Sequence, residues 1–185
     1  RMNTGFPPQE GARGPVRGAV PILFIHGMWH ASWCWDLFLE VFRPPWFQAV
    51  ATDLRGHGKG RSGPARLWRP FLGTYVKDVL RAIRGFQQTP ILVGHSLGCL
   101  LVEIVMAKIR PPAIVLLAPT RHEIFARSVD RFRAAHPPEY RRLFWTATMW
   151  PPIGTPELCR EMLFSPALPE ERLREFHSRM QNNDD

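Results

Sequence analysis

The chain reads as an α/β protein, a parallel sheet flanked by helices, followed by a segment that is helical throughout. Three observations carry this reading. Short, nearly continuous apolar runs at residues 20–25, 47–52, 91–93 and 113–118 alternate with stretches of helical period. Strands covered on both faces have that composition, whereas half-exposed strands alternate apolar with polar residues. Beyond residue 120 the strand-like runs cease, and four helical patterns follow one another.

At 185 residues the chain is long enough for one domain with a sizeable core. Its 45% hydrophobic and 22% charged residues are those of a soluble globular protein. No apolar run approaches the roughly 18 residues needed to cross a bilayer, so no membrane span is expected. The polar N-terminus carries no hydrophobic signal segment and begins with Arg1 instead of Met. The net charge of +8 comes mostly from arginines scattered along the chain. A nucleic-acid binder would cluster them or interleave them with aromatics, so no nucleic-acid partner is expected. Three widely spaced cysteines, Cys34, Cys99 and Cys159, point to reduced thiols in a cytoplasmic protein, with no disulfide framework and no metal site.

Residues 1–19 hold three prolines and four glycines without any period and read as a flexible arm. The strand at 20–25 then runs into His26-Gly27-Met28-Trp29-His30-Ala31-Ser32-Trp33-Cys34-Trp35. A helix over 36–42 stops at Pro44-Pro45. The strand at 47–52 delivers Asp53-Leu54-Arg55-Gly56-His57-Gly58-Lys59-Gly60-Arg61-Ser62, whose closely spaced glycines demand a tight turn. Residues 72–86 form a helix with Tyr75, Val76, Val79, Leu80 and Ile83 on one apolar face.

The stretch 89–110 organises the rest. Gly94-His95-Ser96-Leu97-Gly98 stands between the strand at 91–93 and an apolar helix running to 109. Strand, G-x-S-x-G and helix together make a nucleophile elbow. The turn forces Ser96 into a strained conformation at the carboxyl end of the sheet. Gly94 and Gly98 must be small for strand and helix to approach each other. The Leu97 N–H, at a helix N-terminus, points toward any oxyanion formed at Ser96. Cys99 is a small core residue on that helix. Pro111-Pro112 ends it, and 113–118 is a further buried strand.

Three motifs in this order, HGMWHASWCW, DLRGHGKGRS and GHSLG, resemble those of the α/β-hydrolase superfamily over residues 20–120. The first is most similar to the HGxxHGxWCW segment of the plant methylesterase and hydroxynitrile-lyase branch, with Ser32 where that branch has glycine. The second is similar to the D-x-R-G-H-G-x-S turn of bacterial members. The resemblance implies that the Met28 N–H is a second oxyanion donor beside Leu97. His26, Asp53 and His57 read as structural, since in this superfamily the acid and the histidine follow the serine. Trp29 and Trp33 either line the acyl pocket or pack in the core.

Residues 121–185 carry helical patterns at 125–135, 140–149, 156–164 and 169–181 and end in a polar tail. The resemblance makes this segment a helical cap or lid. Phe144, Trp145, Met149 and Trp150 either roof an apolar substrate pocket or pack on one another. The resemblance also implies two more strands, whose loops bear the acid and the histidine of a triad. No strand or matching motif is seen after residue 118, so the core is expected to be incomplete, truncated within or just after the cap. Of His122, His136 and His177, His122 lies just past a strand end and is the substitute base, with Asp130 or Glu123 to orient it.

The expected function is that of a serine hydrolase acting on carboxylic esters of small, fairly apolar substrates, with neither cofactor nor metal. A serine without a positioned base is a weak nucleophile, so the chain alone is expected to be poorly active. The alternative is a non-catalytic, hydrolase-like protein that binds a small apolar ligand. An imidazole within hydrogen-bonding reach of Ser96 discriminates between the two.

Overall fold

The computed structural model describes residues 18–58, 71–119, 121–146 and 151–180. The expected arm up to residue 17, the Lys59–Ser62 end of the glycine turn, Met149, Trp150 and the polar tail lie outside the described residues. Four strands, β1 (Val20–Ile25), β2 (Phe47–Thr52), β3 (Ile91–His95) and β4 (Ile114–Leu117), form one sheet in the order β2-β1-β3-β4. Every neighbouring pair is parallel. A parallel pair cannot be closed by a hairpin, so each connection crosses over a face and leaves all strand ends on one side.

Strand alternation divides the core in two. Leu23 and Ile25 of β1 face Tyr75, Val76 and Val79 of α2 (Phe71–Ile83) and Leu101, Val102 and Val105 of α3 (Leu97–Met106). Ile22 and Phe24 face the other way, toward Trp35, Ala51 and Val93. A period of two in β1 and of 3.6 in α2 and α3 produces this directly. The 36–42 pattern is the short helix α1 (Asp36–Val41), preceded by a tight 3-10 turn at Ser32–Trp35. Phe24 meets the rings of both Trp35 and Phe38 there.

One boundary differs from expectation. β3 continues through His95, because Gly94 and His95 still pair with Leu116 and Leu117 of β4. β4 has the composition of a buried strand, but as the end of a half-sheet it is also expected to leave a hydrophobic edge; none of its residues is fully buried and Val115 is 43% exposed. It is an edge strand, paired with β3 on one side among the described residues.

Residues 121–180 form α4 (His122–Ala135), α5 (Pro137–Thr146), α6 (Pro156–Leu163) and α7 (Glu170–Arg179), in line with the four helical patterns. Thr155 caps α6 by accepting the Leu158 N–H, 3.3 Å away. Arg160 donates to the carbonyls of Pro166 and Leu168 and to Glu170, fastening the turn between α6 and α7. Ile153, Cys159 and Met180 make a small core that receives Trp29 and Trp33 from the loop after β1. No helix of the described residues is long and apolar enough to cross a membrane.

The tightest approach in the sheet layer is at the start of α3. A Cβ on Gly98 would lie on the Ile25 carbonyl oxygen and 2.9 Å from that of His26. A Cβ on Gly94 would stand 2.5 Å from the Gly98 carbonyl oxygen. These neighbours are all backbone and have no rotamer to give. Gly98→Ala is therefore expected to destabilise the fold by about 1–3 kcal/mol, the usual cost of overpacking. Urea denaturation monitored by circular dichroism would show it, and an unchanged midpoint would contradict this packing.

Candidate active site

Ser96 sits between β3 and α3 with φ 51° and ψ −114°. For a residue with a side chain this backbone costs about 1–3 kcal/mol. It is held from both sides: the Ser96 N–H donates to the Leu117 carbonyl at 3.0 Å, and its own carbonyl accepts the Cys99 N–H at 2.9 Å. The side chain is half-buried. Leu97 opens the ten-residue α3, so its N–H is one of those that a helix leaves without an internal partner.

The loop after β1 lies against this elbow. A Cβ on Gly27 would be 3.1 Å from Ser96 Cβ and 3.0 Å from His95 Nδ1. The Gly27 carbonyl accepts from His26 Nδ1–H at 2.7 Å and from the His30 N–H at 3.4 Å. In a planar trans peptide N–H and C=O point in opposite directions, so fixing that carbonyl fixes the Met28 N–H. Among the described residues, neither the Met28 nor the Leu97 N–H donates to a carbonyl in a turn, loop or cap. The structure thus brings Met28, Ser96 and Leu97 to neighbouring strand ends.

The histidines and Asp53 stabilise the loops. His26 is fully buried; its Nε2 accepts the Leu54 N–H at 3.0 Å while Nδ1 donates, which defines a neutral tautomer. Burial holds its pKa well below the usual 6.5, helped by the nearby imidazoles of His57, His30 and His95. His30, whose Nδ1–H donates to the Met28 carbonyl at 2.8 Å, is lowered by burial, and so is His57. His95 is lowered by burial and then by His30. Asp53 accepts the Ser32 N–H at 2.6 Å, and its carboxylate fills the space where Gly58, at φ 55°, has no Cβ. The turn is tied to α2 by Asp78, which accepts from the Arg55 N–H and guanidinium and from Arg81.

Trp29 and Trp33 pack in the Ile153–Cys159–Met180 cluster, so both face residues 151–180. Trp145 is 86% exposed on α5. His122 begins α4, and its side chain lies outside the described residues. His136 meets Glu161 at 2.9 Å and His177 meets the Ile153 carbonyl at 2.8 Å. Among the described residues no imidazole is bonded to Ser96, and those of His26, His30, His57, His136 and His177 all have partners elsewhere. His30 and the α7 residues Phe176 and Arg179 join the surroundings of this loop unannounced by the sequence. The repeated aromatics of HGMWHASWCW were the one signal that something would pack there. Among the described residues no group of three or more His, Cys, Asp or Glu could hold a metal ion.

The model of the alpha/beta hydrolase family matches residues 22–183. The Oryza sativa subsp. indica protein called Probable esterase PIR7A is 31% identical over 94 residues, 49% of this chain and 35% of that relative. The matched part thus spans about a third of the relative's length. Among solved structures, an extracellular alpha/beta-hydrolase from a Paenibacillus species superposes with a TM-score of 0.58 at 18% identity, covering 88% of this chain and 66% of that one. A carboxylesterase structure from the thaumarchaeon Nitrososphaera gargenis gives 0.57 at 16% identity, covering 93% and 61%. At those identities the superpositions speak for the fold.

The buried histidines make stability pH-dependent. Their folded pKa values lie below the unfolded 6.5, so on acidification the unfolded chain binds protons that the folded one does not. The stability they contribute is present above pH 6.5 and lost as pH falls through the lowered values. Urea midpoints measured from about pH 8 to about pH 5 should fall on the acid side. A flat profile across that range would mean that these imidazoles are not held neutral.

Proposed function

The chain belongs to the alpha/beta hydrolase family, and from that premise we propose that Ser96 is the nucleophile of a hydrolase acting on carboxylic esters of small, fairly apolar substrates. The observation that carries the reading is Ser96 at positive φ between β3 and α3, with Gly27 packed against its Cβ. A positive φ at a serine is unfavourable on its own and persists where the surrounding structure imposes it.

In this reading Ser96 Oγ attacks the ester carbonyl and passes its proton to a base, which returns it to the leaving alcohol. The Met28 and Leu97 N–H groups receive the negative oxygen of the tetrahedral intermediate, a contribution of about 2.7–4 kcal/mol per donor in comparable sites. Water then attacks the acyl-enzyme and releases the acid. Trp29 and Trp33 give the acyl side an apolar boundary, beneath a cap formed by residues 121–180. Trp145, exposed on α5, has no assigned part in the pocket.

Among the described residues the imidazoles of His26, His30, His57, His136 and His177 bond partners other than Ser96, so the reading does not assign the base to them. His122 is the substitute base within the chain. Binding of a small apolar ligand without turnover is the second reading, and the same engaged imidazoles favour it.

Purified chain and Ser96→Ala would be compared in hydrolysis of a short-chain nitrophenyl ester and in labelling by a serine-reactive phosphonate. We expect slow labelling of Ser96 that is absent from Ser96→Ala, and turnover below about 1 per second. Faster turnover that disappears in Ser96→Ala would place the base within the chain, at His122. Ligand binding with no labelling would support the binding protein.

A further inference from the structure

Trp33 is the point at which α7 meets the loop after β1. Its ring stacks with Phe176 at 6.3 Å between centroids and 15° between planes, and the Arg179 guanidinium lies 4.6 Å from its centroid. Arg179 also pairs with Asp36 at 2.9 Å, and Phe176 stacks on Phe164 at 5.7 Å. Toward the loop, the Trp33 ring stacks with His30 at 5.4 Å and 28°. The His30 ring donates from Nδ1 to the Met28 carbonyl at 2.8 Å and meets His95 edge-on at 5.8 Å. His95 precedes Ser96.

Both peptides that flank the Met28 Cα are therefore gripped by His30. Its backbone N–H holds the Gly27 carbonyl, and its ring holds the Met28 carbonyl. Trp29 follows at φ 64°, a conformation that costs energy in any residue with a side chain and so depends on that grip. The ring in turn is oriented by Trp33, which meets Phe176 and Arg179 of α7 as well as the Ile153–Cys159–Met180 cluster. The Arg179–Asp36 pair is partly exposed and contributes little alone. The stacked rings and the cation over Trp33 are the contacts that α7 can exert on the loop.

We propose that His30 and Trp33 are positioning residues through which α7, by Phe176 and Arg179, sets the direction of the Met28 N–H. This rests on the reading of that N–H as an oxyanion donor. It adds that the helical segment controls the donor as well as covering the site. Movement of α7 away from Trp33 would release the His30 ring from the Met28 carbonyl and loosen the Met28–Trp29 peptide, leaving the Gly27–Met28 peptide to the His26 Nδ1–H and His30 N–H bonds.

The test uses the full chain with Arg179→Met, Phe176→Leu and Arg179→Lys, all at the surface of α7 or near it. Amide hydrogen exchange at residues 28–30 should quicken about two- to fivefold in the first two, the size of a partly exposed cation–π contact. Exchange in β1 and β3 should not change. The Nδ1–H signal of His30 in nitrogen-15 spectra should weaken in parallel. Arg179→Lys, which keeps the cation, should restore part of the protection. Phosphonate labelling of Ser96 should slow by the same factor as exchange quickens. Faster exchange confined to α7, or an unaltered His30 signal, would overturn the proposal. If Ser96 takes no label in the parent chain, the nucleophile reading fails, while exchange and the His30 signal still decide the coupling.

Discussion

The site depends on one close approach: the first turn of α3 crosses the end of β1 with no side chain between them. Gly98 lies on the carbonyls of Ile25 and His26, and Gly94 lies on Gly98. Those contacts leave the chain one way to pass from β3 into α3, and Ser96 takes the positive φ that this path requires. The cost, about 1–3 kcal/mol, is small beside what the same elements bury. Leu23, Ile25, Leu101, Val102 and Val105 are all fully enclosed, and each contributes up to about 1.5–3 kcal/mol. The packing that imposes the strain therefore outweighs it comfortably.

Around the elbow the loops are held by buried neutral imidazoles together with the Asp53 carboxylate. Among the described residues the buried imidazoles of His26 and His57 bond backbone groups, and the buried carboxylate is Asp78, which lies on α2 between Arg55 and Arg81. Uncharged imidazoles can be buried at modest cost because each keeps at least one hydrogen bond. His57 keeps only its Nδ1 bond to the Arg55 carbonyl, its Nε2 being buried with no partner among the described residues.

Much of the core and the elbow could be read from the sequence because local chemistry specifies them. The apolar run of β1, the spacing of Tyr75, Val76 and Val79, and the glycines either side of Ser96 each act over a few residues. The structural duties of His26 and Asp53 were legible too, since both stand in tight turns that need buried partners. For β4 composition and position pointed in different directions. Ile114–Leu117 has the composition of a covered strand, and composition does not say how many neighbours a strand has. The grip of α7 on Trp33 was also hidden. Phe176 and Arg179 are far away in sequence, and nothing in a charged helix pattern marks one arginine as the one that lies over an indole. His30 could be seen as part of a motif, but its two hydrogen bonds arise from the φ of Trp29, which no residue type announces.

β1 is paired on both sides, with Ile25 opposite Thr52 on one flank and Gly94 on the other. The separation between Gly27 and Ser96 is thus counted in whole rungs of the ladder. A slip by one rung would shift the loop by about 3.3 Å and turn every β1 side chain to the wrong face. Between those two settings there is no resting place. The juxtaposition of loop and elbow is consequently all-or-none: it lasts as long as β2, β1 and β3 stay zipped, and it vanishes with them in a single step.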